Sequence, residues 1–170
     1  ETTYEYEFNW KQVFEEVALA VLDYEDCPYE SQVTLLLTDN EGIHAINKET
    51  RNIDAPTDVL SFEQGDSYTD EEGYEFFCAG DIVISVETLE KNASKFNLPV
   101  NEELKRLLVH GILHLDGMDH GEFHIDENGD ILNAEENVVK LNDELKENEE
   151  IKMLVLQESI LKEFSDIKII

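Results

Sequence analysis

The sequence predicts an α+β fold in a single domain. Segments of helical and of strand periodicity are mixed along the chain without the regular alternation of a doubly wound sheet. Its 170 residues suit one domain, 1–170, with room for a core that needs no staples. Cys27 and Cys78 stand 51 positions apart, form no metal-ligand pair and suit a reducing compartment.

Trp10, Val13, Phe14, Val17, Ala18, Val21 and Leu22 keep i,i+3,i+4 spacing, which predicts an amphipathic helix over 9–23, broken at Cys27-Pro28. Val33 to Thr38 reads as a short strand, and Asn40 to Glu49 as a helix packing through Ile43 and Ile46. Strands are expected at Val59–Phe62 and Asp81–Val86, with an acidic hairpin or loop at Asp66–Glu75 between them. Thr88 to Phe96 predicts a short helix, followed by a helix over 101–116. A last helix is expected from about 150 to 164, with Ile151, Leu154, Val155, Ile160 and Leu161 as its buried stripe.

Residues 121–149 are strongly acidic and read as an insertion, mostly solvated surface. Asp126-Glu127-Asn128-Gly129-Asp130 has its glycine in the wrong place for a calcium loop. Asn128-Gly129 between Phe123-His124-Ile125 and Ile131-Leu132 reads as a tight hairpin turn. Glu135 to Lys146 is expected to be a solvated helix.

The helix over 101–116 carries the chemistry. Pro99 and Asn101 precede or open it, with Asn101 as the expected cap and Glu102 and Glu103 suiting its positive end. Leu104, Leu107, Leu108, Ile112 and Leu115 form its core face. His110 and His114 are four apart and project from one side of it. Gly117 stands where a left-handed helix end wants glycine, and a chain turning back there brings His120 to the pair. A single histidine beside leucines is usually a core residue. Three within eleven positions, on a helix that ends where the third is needed, point to a divalent metal with one open position, as in catalytic zinc sites. Gly111, costly in mid-helix, implies close approach to its backbone by another element, a neighbouring helix included. It also stands where a zincin protease carries its glutamate base, which argues against a peptidase.

The net charge is −29, from 41 acidic and 12 basic residues. Taken alone this argues against a nucleic-acid partner, because phosphate contacts come mainly from Lys and Arg. The charge is uneven, however. Six basic residues, including both arginines, Arg51 and Arg106, lie between 48 and 106, while 121–150 holds eleven acids and two lysines. No signal peptide, membrane span or lipidation motif is visible, so the expectation is a cytoplasmic protein with no membrane partner, its first residues trimmed.

Residues 110–120 match every fixed position of H-G-x-L-H-L-x-G-x-D-H, a motif of the YbeY family of bacterial rRNA maturation factors. Ile46-Asn47-x-x-x-Arg51, Pro56-Thr57-Asp58-Val59-Leu60-Ser61-Phe62 and Gly80-Asp81-Ile82-Val83-Ile84-Ser85 resemble three further motifs of that family, in the same order. Met153, Gln157-Glu158 and Ile160-Leu161 resemble its C-terminal helix. The resemblance implies a small mixed β-sheet packed against helices, with the metal site at the end of a central helix. It implies a zinc-dependent, single-strand-specific endoribonuclease of rRNA maturation and ribosome quality control. One Zn2+ per chain would be held by His110, His114 and His120, with Arg51 as the essential non-ligand residue. The partners implied are single-stranded RNA, a ribosomal RNA precursor, and ribosomal or assembly proteins. Two departures stand out: Glu63 where the family usually has proline, and a strongly acidic stretch of about 25 extra residues before the last helix, a partner surface or lid.

A metal held by three imidazoles acidifies water and polarises a phosphoryl oxygen, and Arg51 can fork onto a phosphate. Asp58 or Asp119 would orient a histidine or act as base, while Thr57 and Ser61 are candidate donors to phosphate. For each, a bland role competes: a salt bridge for Arg51, a turn or surface acid for Asp119, local hydrogen bonds for the hydroxyls. Two other function classes fit the motif, a metal-dependent hydrolase of another substrate and a zinc-stabilised assembly factor without chemistry.

Overall fold

The computed structural model describes residues 30–126 and 128–166; the helix expected over 9–23 and Cys27 lie outside them. A three-stranded sheet is built from β1 (Glu30–Thr38), β2 (Val59–Thr69) and β3 (Glu75–Ser85) in the order β1-β3-β2. β1 runs parallel to β3 and β2 antiparallel to it, so the sheet is mixed. Helices α1 (Asn40–Arg51), α2 (Val86–Lys95), α3 (Val100–Leu115) and α4 (Glu149–Glu163) surround it, with a small hairpin of β4 (His124–Ile125) and β5 (Ile131–Leu132) after α3. The α+β expectation holds.

β3 is central, and its Ile82-Val83-Ile84 run is apolar because both faces are covered. Ile82 and Ile84 join Leu104, Leu107, Leu108, Ile112, Leu113 and Leu115 of α3 in the main core. Val83, on the opposite face, packs with Leu60 of β2 and Ile43 of α1. All five expected core leucines and isoleucines of α3 are buried. A Cβ on Gly111 would stand 2.9 Å from Ile82 Cδ1 and 3.2 Å from Ser61 Oγ, so the element pressing on that glycine is the sheet.

Five expectations need correction. Asn101 does not cap α3: the helix starts one residue earlier, Pro99 takes the cap position, and the amide Nδ2 of Asn101 donates to Glu102. The hairpin at 66–75 is present, but β2 and β3 run far past the short strands expected at 59–62 and 81–86 and turn at 70–73; β2 beyond Phe62 is exposed and so shows no apolar alternation. Glu135–Lys146 is not a helix. Asn133 Oδ1 accepts from the N–H groups of Glu135 and Asn137, and Asn142 Oδ1 from that of Leu145, so side-chain turns replace the helical ladder, leaving only a short 3-10 turn at Leu145–Glu147. Val155 is 42% exposed; the buried positions of α4 are Ile151, Met153, Leu154, Gln157 and Ile160. The insertion is also more than solvated surface, since Ile131 packs with Ile151 and Leu154, and Phe123, Ile125, Val139 and Leu145 lean on them.

Candidate metal centre

α3 ends in a tight cap. Gly117 takes a positive φ of 80°, its N–H reaches His114 O, and Met118 N–H reaches Leu113 O. Met118 then packs against the main core, which closes the turn. The turned carbonyl of Met118 accepts from His114 Nδ1 at 2.9 Å. One turn further on, Gly121 N–H donates to Asp119 Oδ1 and Phe123 N–H to His120 O, which brings His120 back beside the helix. His110, His114 and His120 each offer one ring nitrogen, and these lie within 4.8 Å of one another.

The donor set fits a cation. A carbonyl oxygen only accepts, so the contact to Met118 O places the His114 proton on Nδ1 and leaves a lone pair on Nε2. His110 Nδ1 faces Gln157 Oε1 at 2.9 Å in the same way. The two Nε2 atoms then face each other at 3.1 Å, lone pair to lone pair. His120 Nδ1 is buried without a hydrogen-bond partner in the structure. A divalent ion among these nitrogens would satisfy the opposed pair, and three imidazoles are a donor set that transition metals accept. Burial pushes the His110 pKa down to about 4, helped by the neighbouring histidines. Burial, then His120, also lowers that of His114. At neutral pH these two rings are therefore uncharged, and a cation need not displace their protons.

The triad stands between two cavities. The larger, about 870 Å³, is lined by His110, His114 and Asp119 on one side and by Arg51, Thr57, Ser61 and Glu63 on the other. Arg51 Nη2 donates to Ser61 O at 2.9 Å, and the guanidinium lies 5.5 Å from the Phe62 ring centroid. Arg51 is close enough to His114 to oppose its protonation. Thr57 Oγ1 donates to Asp58 Oδ1. Asp119 is exposed, and the Gly121 N–H holds its carboxyl below the ordinary range. Asp58 accepts from Val59 N–H at 2.9 Å and lines the smaller cavity, about 380 Å³, with His110, His120, Glu103 and Arg106. The structure thus brings every residue singled out from the sequence to one of the two cavities around the triad. Gln157 received no role from the sequence; its signal was a polar residue inside the apolar stripe of α4.

A sequence profile described as endoribonuclease YbeY matches residues 1–143. A protein of that name from Lachnoclostridium phytofermentans is 41% identical over 138 residues, 72% of this chain and 82% of that protein. One from Agathobacter rectalis is 44% identical over 131 residues, 69% of this chain and 79% of its own. One from Treponema denticola is 61% identical over 90 residues, 53% of this chain; the match spans 58% of that relative's length. The solution structure of TM1509 from Thermotoga maritima covers 94% of this chain and 87% of its own at 22% identity, with a TM-score of 0.47.

Proposed function

The chain belongs to the endoribonuclease YbeY family, and from that premise we propose that it cuts single-stranded RNA with one Zn2+ held by His110, His114 and His120. The observation that carries this reading is the set of three converging imidazoles, two of which, His110 and His114, line the cavity that also holds Arg51. A divalent ion supplies Lewis acidity there, polarising a phosphoryl oxygen and acidifying water. The protein's own residues do the rest. Arg51 spends one N–H on Ser61 and has others for a phosphate, where its charge offsets negative charge that builds as the P–O bond breaks. Thr57 and Ser61 line the wall along which the sugar-phosphate backbone would run. Asp119 stays ionised, which makes it a weak base; its part is to shape the turn that delivers His120 and to place negative charge near His114. Asp58 lines the smaller cavity with His110, and its negative charge acts on that ring through space.

A chain of net charge −29 engages RNA through this local arrangement rather than through its overall field. The reading extends to a ribosomal RNA precursor as substrate, a role in ribosome maturation and quality control in the cytoplasm, and ribosomal or assembly proteins as partners. No helix among the described residues is long and apolar enough to cross a membrane.

The test is cleavage by the zinc-loaded protein of a single-stranded RNA, its duplex, and the same strand with methylated ribose hydroxyls. Cutting confined to unpaired RNA is expected. Retained cutting of the methylated strand assigns attack to water, whereas its loss assigns attack to the neighbouring ribose hydroxyl. Zinc-holding protein that leaves all RNA intact would transfer the reading to an assembly factor. Hydrolysis of substrates without phosphate, unaffected by Arg51→Ala, would transfer it to another hydrolase class.

A further inference from the structure

Gln157 stands in the buried stripe of α4 between Leu154 and Ile160, and only 3% of it reaches solvent. A buried amide brings two N–H donors and a carbonyl acceptor, and unmade hydrogen bonds there cost about 1–3 kcal/mol. Its Nε2 donates to Glu158 Oε1 at 3.3 Å, and the same oxygen accepts from Arg106 Nη1 at 2.5 Å. An ionised carboxylate only accepts, so Glu158 turns the amide nitrogen toward itself and the carbonyl toward His110. That carbonyl, 2.9 Å from His110 Nδ1, in turn demands a proton on Nδ1.

The alternative tautomer matters here. With its proton on Nε2, His110 would donate to His114 Nε2, which lies 3.1 Å away. That hydrogen bond would pair the two Nε2 atoms with each other and close two ligand atoms to a metal. We infer that Gln157, anchored by Glu158 and Arg106, is a positioning residue that keeps His110 Nε2 open as a ligand atom and prevents the two histidines from bonding to each other. Its geometry explains why an otherwise apolar helix stripe carries a buried amide against the triad. The inference rests on the reading of the three imidazoles as a metal centre, and deepens it.

The test uses two variants of the full chain. Gln157→Met keeps length and helix preference but removes the acceptor. The exchange Gln157→Glu with Glu158→Gln keeps an acceptor on His110 and leaves net charge unchanged. Long-range proton–nitrogen correlation spectra of the metal-free proteins read the His110 tautomer, and competition with a chelator reads zinc affinity. Thermal unfolding reports the folded fraction of each. The expected result is an Nδ1–H ring in the parent and in the exchange variant, with similar zinc affinity. Gln157→Met should show the Nε2–H ring and bind zinc about 10- to 100-fold more weakly, the usual cost of losing a hydrogen-bond partner behind a metal ligand. A folded Gln157→Met with an unchanged tautomer or unchanged affinity overturns the inference alone. An exchange variant as weak as Gln157→Met also overturns it. A parent that binds no zinc overturns the metal centre itself.

Discussion

Lowering the pH of the metal-free protein should cost it stability through His110. Burial, with His114 and His120 alongside, takes this ring from the ordinary 6.5 to about 4. The unfolded chain therefore binds the proton first as pH falls, and between 6.5 and about 4 the native state holds fewer protons than the unfolded one. Its contribution is fully present above 6.5, fades through that window and is gone below about 4. The gap corresponds to about 3 kcal/mol, a large fraction of the stability of a small domain. His114 shifts in the same direction and adds to the loss. Asp119, whose carboxyl is held low by the Gly121 N–H, also loses stability in acid, so the parent alone does not isolate the ring. His110→Gln does, because it does not titrate. Urea unfolding followed by circular dichroism, with chelator present, should show the parent losing about 3 kcal/mol more than His110→Gln across the window. Equal losses in the two proteins would refute the reasoning.

Gly111→Val should destabilise the fold by about 2 kcal/mol or more, since even its Cβ would stand 2.9 Å from the buried Ile82. Thermal unfolding checks this, and an unchanged midpoint would show that α3 can lift off the sheet. Glu103 is buried, and burial raises its pKa despite Arg106 nearby, so the ionised form is disfavoured in the native state. Glu103→Gln should therefore raise stability at neutral pH and lose that advantage in acid; a fall at neutral pH would mean that the attraction to Arg106 outweighs burial. Glu63 places an exposed carboxylate on the cavity wall opposite the histidines. Glu63→Gln should tighten RNA binding about threefold, the scale of one repulsion of under 1 kcal/mol in water. Titration of labelled RNA at low salt reads it, and unchanged affinity would place the strand elsewhere.

How much of this was legible in the sequence depended on which force decided each segment. α3 was readable because its apolar spacing, its histidines and Gly117 each reflect a local requirement: one face on the sheet, one face toward the triad, and a left-handed residue at the cap. The hairpin of β2 and β3 was half readable, because β2 beyond Phe62 is exposed and carries no apolar pattern; there the pairing rests on the backbone and on the Tyr68–Phe76 stack. Glu135–Lys146 misled because its composition suits a helix, while Asn133 and Asn142 capture the backbone N–H groups that such a helix would need. Of the site, the three histidines were visible as a motif and Arg51 by resemblance alone. Gln157 lay beyond spacing rules, since its partner His110 is 47 positions away and the hydrogen bond exists only once α4 docks beside α3.

The most direct test of the central claim is cleavage of single-stranded RNA by zinc-loaded protein, with His114→Ala and Arg51→Ala measured beside it. The account predicts cutting by the parent, loss in His114→Ala together with weaker zinc binding, and loss of about a hundredfold or more in Arg51→Ala with zinc retained. Equal activity in all three proteins, or none in a parent that holds its zinc, would contradict it.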